Sequence, residues 1–151
     1  MQRLLPPRLF FLSLATMLGL HHMLTAFWSG LIVIPPVVGL TGAGVGVAGL
    51  IIVFAGAAQF RRRRTNIRTF NRPDELVEDG LFRYSRNPMY LGFCLALAGL
   101  ALWLGSVPAL AVALAYFIIC NRWYIAFEEQ MMLATFGDAY RAYCRRTRRW
   151  L

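Results

Sequence analysis

Four apolar stretches, at about Leu9–Trp28, Val37–Phe60, Met89–Leu104 and Val107–Phe127, dominate this chain and limit what it can fold into. Each is near the ~20 residues that a helix needs to cross a bilayer. The connections between them differ sharply in charge. "SGLIVIPPV" and "GS" carry none, whereas "RRRRTNIRTFNRPDELVEDGLFRYSRNP" and the tail beyond Phe127 hold most of the arginines, and Arg3 and Arg8 precede the first stretch. Four crossings place all three basic regions on one side, which the excess of arginine marks as cytoplasmic. The expected architecture is therefore all-α: a polytopic membrane protein of about four transmembrane helices (9–28, 37–60, 89–104 and 107–127) plus a cytoplasmic C-terminal helix. Residues 61–88 and 128–151 form its cytoplasmic segments, and the whole of 1–151 reads as one domain.

Composition closes off other classes. A chain that is 58% hydrophobic with a formal net charge of +9 is too apolar for a soluble domain and too charged for a proteolipid. All 16 basic residues are arginine, but apolar runs separate them, so no nucleic-acid surface is expected. Cys94, Cys120 and Cys144 lack CxxC spacing, and neither a disulfide framework nor a metal site is expected. The N-terminal "MQRLLPPRLFFLSLATMLGL" runs on through His21 and His22 without a cleavage-site pattern, so it reads as a first crossing rather than a signal peptide. All-arginine usage accords with a GC-rich genome and hence a bacterial inner membrane, with both termini cytoplasmic.

Local signals refine the helices. Gly42, Gly49 and Gly56 recur every seven residues and Gly42 and Gly46 form a G-x-x-x-G, a small face for close helix packing. Asn87 and Pro88 suit the N-cap and first position of the third helix, Gly105 its end, and Ser106 the cap of the fourth. Gly137 is placed to end a helix that outruns the membrane, and Asp138 to cap a last basic helix from Ala139 to about Arg149. The terminal "RRTRRW" reads as a helix end lying among lipid headgroups, with Trp150 as interfacial anchor.

The candidate site lies where charge meets these apolar ends. The start of the third helix, at Asn87–Pro88–Met89, presents unpaired N–H groups and a partial positive charge. Glu128 and Glu129 sit at the end of a long apolar helix, seven residues after Asn121 and Arg122, so each shares a helical face with a polar partner. Ionisable groups at membrane depth are costly unless they face a cavity or a partner.

"ELVEDGLFRYSRNPMYLG" followed some thirty residues later by "EEQMMLATFGDAYRAYCRRTRRW" resembles the isoprenylcysteine carboxyl methyltransferase family of integral membrane methyltransferases and the related phospholipid methyltransferases. The resemblance covers about Arg64 to the C-terminus. It implies S-adenosylmethionine in a cytoplasm-facing pocket open sideways to lipid, with cofactor contacts at Asp74, Glu75, Leu76, Val77, Phe82, Asn87, Pro88, Met89, Tyr90 and Glu128. The family's eukaryotic members have His at the position of Asn87 and Tyr at that of Phe82, and an arginine where Tyr124 stands here, with Arg122 two residues earlier. Candidate catalytic residues are Glu129, Arg122 and Arg86, Glu129 being the obvious local base for an acceptor that must lose a proton. The implied function is methylation of a lipophilic small-molecule or lipidated substrate among membrane lipids, by carboxyl O-methylation. The alternatives are N-methylation of a phospholipid or other lipid amine, and a non-catalytic membrane bundle that retains the fold. No metal and no nucleic acid enter any of these readings.

Overall fold

The computed structural model describes residues 5–28, 30, 35–63 and 75–151. It is helical throughout, with no strand among the described residues. The elements in order are α1 (Pro6–Phe27), α2 (Pro36–Arg63), a 3₁₀ turn (Gly80–Arg83), α3 (Pro88–Leu104), α4 (Val107–Ile119), a π-helical turn (Cys120–Tyr124), α5 (Ile125–Phe136) and α6 (Asp138–Arg146). By length and composition three of the described helices can cross a membrane: Pro6–Phe27, Val37–Arg63 and the continuous rod Val107–Phe136. The remaining one, α3, has 17 residues. At 1.5 Å per residue it spans about 26 Å, a little under the ~30 Å hydrocarbon core.

Helix limits depart from the sequence reading for local reasons. The first helix starts at Pro6 because prolines suit a first turn, where the missing N–H has no partner to lose. The fourth does not stop at Phe127 but runs on through the π turn to Phe136, until Gly137 leaves helical geometry at φ 52°. Gly105, at φ 66°, closes α3 as expected. The caps, however, differ. Gly137 rather than Asp138 is the N-cap of α6, and neither Asn87 nor Ser106 makes a side-chain cap bond. Both side chains are drawn into longer-range contacts instead: Ser106 Oγ meets His21 Nδ1 at 2.8 Å, and the Asn87 amide reaches the C-terminal tail.

The helices pack as a row, α2 on α3, α3 on α4, α4 on α1. The α2–α3 seam is a glycine zipper. A Cβ on Gly49 would lie 2.5 Å from the Gly92 carbonyl oxygen and 2.6 Å from the Ala96 nitrogen, and one on Gly42 would lie 2.6 Å from Leu102 Cβ. The heptad of Gly42, Gly49 and Gly56 thus faces α3, which answers with Gly92, Ala96 and Gly99. Close backbone approach of this kind, rather than a hydrophobic gain that lipid would supply equally well, is what favours association in a bilayer. On the other side of α3, Met17, Leu97, Ala101, Tyr116, Cys120 and Ile125 form the buried core among α1, α3 and α4.

Candidate functional site

At the arginine-rich end of the row the helices part around a cavity of about 280 Å³. Its walls come from the last turns of α2 (Val53, Ala57, Phe60), the segment from Glu75 to Phe82, the first turns of α3, and α5 with α6. The segment after Glu75 is pinned by α2. Arg63 donates to Glu75 Oε1 at 2.8 Å and also to Asp79, and Gln59 Nε2 donates to the Asp79 carbonyl at 2.8 Å. The hydrogen bond from Arg63 holds the Asp79 carboxyl below the usual carboxylate range. Gly80, at φ 55°, sits directly against the Gln59 amide, where an added Cβ would come within 2.6 Å of its oxygen. The chain is thereby turned so that Phe82 meets Phe60 edge-on, with ring centroids 5.0 Å apart. The Tyr143 hydroxyl closes the turn by donating to the Phe82 carbonyl at 2.6 Å, and burial pushes the Tyr143 phenol upward in pKa, so it remains a donor.

Two carboxylates sit side by side in sequence yet have different surroundings. Glu128 accepts a hydrogen bond from the Tyr90 hydroxyl at 2.8 Å, joining α5 to the first turn of α3. Glu129 is gripped by two arginines: Arg86 Nη2 donates to its Oε1 at 2.7 Å, Arg149 Nε to the same oxygen at 3.1 Å, and Arg149 Nη2 to Oε2. Burial works against the Arg86 charge, but the hydrogen bond and charge of Glu129 outweigh it and raise the guanidinium above its ordinary value. Arg86 Nη1 also donates to the Thr147 carbonyl at 2.9 Å, a cation at the negative end of α6. Among the described residues its Nε is buried without a hydrogen-bond partner.

The tail that follows α6 packs against Arg86, Asn87 and Glu129, which corrects the expectation of a headgroup-lying helix end. The helix stops at Arg146, and residues 147–150 fold back over the entry to α3. Arg86 N–H donates to the Arg148 carbonyl at 3.0 Å, the Asn87 amide to the Arg149 carbonyl at 3.1 Å, and Trp150 Nε1 to Asn121 Oδ1 at 3.2 Å. Trp150 lies against Phe117, with centroids 5.1 Å apart, rather than standing out at the interface. The reason is an accounting one: Arg86, Asn87 and Glu129 are partly buried polar groups, and the tail supplies the partners that such groups require.

Of the residues singled out from sequence, Glu75, Val77, Phe82, Arg86, Asn87, Pro88, Met89, Tyr90, Glu128 and Glu129 all line the cavity. Leu76 does not, and Asp74 lies outside the described residues. Arg122 is exposed and away from the cavity wall. The expected sharing of a face between Arg122 and Glu129, and between Asn121 and Glu128, fails because Asn121 and Arg122 belong to a π turn, Cys120–Tyr124; Asn121 shares Arg149 with Glu129 instead. The wider π turn holds roughly one extra residue and rotates everything beyond it. Sequence reasoning missed Tyr140 and Tyr143 as wall residues and Arg149 as a partner of Glu129. The tyrosines stand at (i, i+3) spacing on a strongly amphipathic helix, which was a usable signal; the folding-back of Arg149 had none.

Comparison with known proteins agrees with this geometry. The phospholipid methyltransferase family matches residues 37–139, from the start of α2 to the start of α6. The chain belongs to the phospholipid methyltransferase family. It is accordingly a membrane methyltransferase by family, and the match spans both the glycine seam and the two glutamates. A similar protein, an uncharacterized protein of Haemophilus influenzae, is 40% identical over 63 residues, which is 42% of this chain and all of that one. No solved structure gives a significant match. Among the described residues no group of His, Cys, Asp and Glu is arranged to hold a metal.

Proposed function

We propose that this family member uses S-adenosylmethionine, bound in the cavity between α2, α3, α5 and α6, to methylate a lipophilic acceptor that enters from the bilayer. The observation that carries the reading is the pairing of opposite polarities in one apolar cavity: the Glu128 carboxylate on one wall and the buried, unpartnered Arg86 Nε on another. S-adenosylmethionine supplies a sulfonium whose methyl group is electrophilic, together with an ammonium and a carboxylate. Glu128 suits the ammonium, Arg86 Nε and the α3 N-terminus suit the carboxylate, and Phe60, Phe82, Met89 and Met132 offer apolar contacts for the rest. The volume, about 280 Å³, falls just below the ~300–1,000 Å³ typical of small-molecule sites. Alignment in such a water-poor space is enough to favour an in-line displacement.

The two carboxylates bear on the acceptor as well. Both Glu129 oxygens are engaged by guanidiniums, so it serves to hold Arg86 and Arg149 rather than to take a proton. An acceptor that needs no base, a carboxylate, is therefore the first reading. The family's name favours a second, a phospholipid amine. Incubation with methyl-labelled donor and a total lipid extract separates them: label released by mild alkali marks an ester, label that resists it an amine.

The cavity itself is tested by Glu128→Gln, which keeps the shape and removes the charge. A charge-assisted hydrogen bond is worth about 1.5–3 kcal/mol, so calorimetric affinity for S-adenosylmethionine should fall roughly ten- to a hundredfold. Undiminished affinity in a folded variant would refute the assignment. In this reading the arginine-rich ends face the cytoplasm of a bacterial inner membrane; the charge asymmetry of the loops supports the orientation. Labelling of a cysteine introduced at Arg62 by an impermeant reagent added outside intact cells would reverse that orientation.

A further inference from the structure

A second concavity, of about 580 Å³, lies between α5 and α6 and shares Arg86, Glu129 and Tyr140 with the cavity. Four arginines line it, Arg86, Arg141, Arg145 and Arg149, against a single carboxylate, Glu129. That carboxylate is already shared between Arg86 and Arg149. Arg141 is bound only to the exposed Asp138, and Arg145 forms no ion pair among the described residues. The concentration of positive charge is local: Arg146, next in sequence, turns away from the groove and pairs with Glu78. Gln130 and Tyr140 add neutral polar groups to the wall, while Ala126 and Leu133 give it an apolar side along α5. Burial pushes the Tyr140 phenol upward in pKa, which keeps its hydroxyl a donor.

We propose that this groove binds a phosphate group, carried by an anionic phospholipid headgroup or free in solution, independently of methyl transfer. Guanidinium forks match tetrahedral oxyanions with two parallel hydrogen bonds each, and several converging on one space are far stronger than one on an open surface. The groove lies where the apolar rod of α4 and α5 emerges into polar sequence, the level at which lipid phosphates are found. Its apolar edge at Leu133 and Ala126 gives an attached acyl chain a surface to follow, and its polar edge leaves room for a free ion.

The test is calorimetric titration of the full chain in a neutral detergent with dioctanoyl phosphatidylglycerol, with inorganic phosphate at constant ionic strength, and with dioctanoylglycerol, which lacks the phosphate. The first, the second or both should bind, and dioctanoylglycerol should not. Binding of the lipid alone identifies the headgroup as the source, and equal binding of inorganic phosphate identifies the free ion. The double variant Arg141→Ala, Arg145→Ala should weaken binding at least about tenfold, while its circular dichroism melt stays as in the parent. Arg61→Ala, Arg62→Ala removes two arginines that are also exposed but outside the groove, and should leave affinity unchanged. The proposal is overturned if neither phosphate probe binds better than dioctanoylglycerol, or if the Arg61, Arg62 double variant is as damaging as the Arg141, Arg145 pair.

Discussion

The two sides of α3 are held by opposite kinds of force. Toward α2 the contact consists of backbone lying on backbone, Gly42, Gly46 and Gly49 against Gly92, Ala96 and Gly99, with no charge near it. Toward α5 and the tail, at the cavity end, the contact consists of hydrogen bonds and ion pairs: Tyr90 to Glu128, Arg86 and Arg149 to Glu129, Asn87 to the Arg149 carbonyl. The first joint has no room for a Cβ at Gly42, Gly49, Gly92 or Gly99 but is indifferent to pH and salt. The second tolerates small changes of shape and depends on every charge having its partner. The chain thus has its steric joint along the apolar helices and its polar joint at the arginine-rich end.

Breaking the steric joint should have the largest effect. Gly49→Val drives side-chain atoms into the Gly92 and Ala96 backbone, which cannot yield as a flexible side chain would. Overpacking ordinarily costs about 1–3 kcal/mol, and with rigid backbone opposite we expect the top of that range or loss of folded protein in detergent size-exclusion. Gly44, on the same helix, meets nothing within 4 Å. Gly44→Ala should therefore melt as the parent does; a shift as large as that of Gly49→Val would mean that the seam is not what holds α2.

The polar joint is sharpened by Arg149→Ala. It leaves Arg86 as the one guanidinium on Glu129, and it also removes the bond to Asn121. Removing one partner of a largely buried pair is costly, and the side-chain exposure of 36% at Arg149 and 18% at Glu129 tempers that cost. A thermal loss equivalent to about 1–2 kcal/mol is expected, smaller than for Gly49→Val and, unlike it, shrinking as salt is raised. Salt-independent destabilisation would show that the tail is held by Trp150 packing rather than by charge.

The same contrast explains what could be read from sequence. Small-residue spacing and hydropathy are local, one-dimensional signals, so the crossings, the heptad of glycines on α2 and the Gly105 stop were all visible. So was the gathering of Arg86–Tyr90 with Glu128 and Glu129, through motif order. Three things were not. The π turn leaves no mark in composition, so the faces of Asn121 and Arg122 were misjudged. The fold-back of residues 147–150 depends on partners some sixty residues away in sequence, Arg86 and Asn87. The cap roles assigned to Asn87 and Ser106 were overridden by tertiary partners at their side chains, the tail carbonyl and His21.

The π turn matters in another way. Because it carries the backbone from α4 into α5 without a break, the 30-residue stretch Val107–Phe136 is a single rod, about 45 Å long at 1.5 Å per residue. Its lower part is immersed, and its upper part bears Glu128 and Glu129. The attitude of the immersed part is set by its packing on α1 and α3, and bilayer thickness can shift it. The chain stays helical through the π turn, so a change of bilayer thickness that tilted the immersed part would also move the two carboxylates relative to Tyr90 and Arg86.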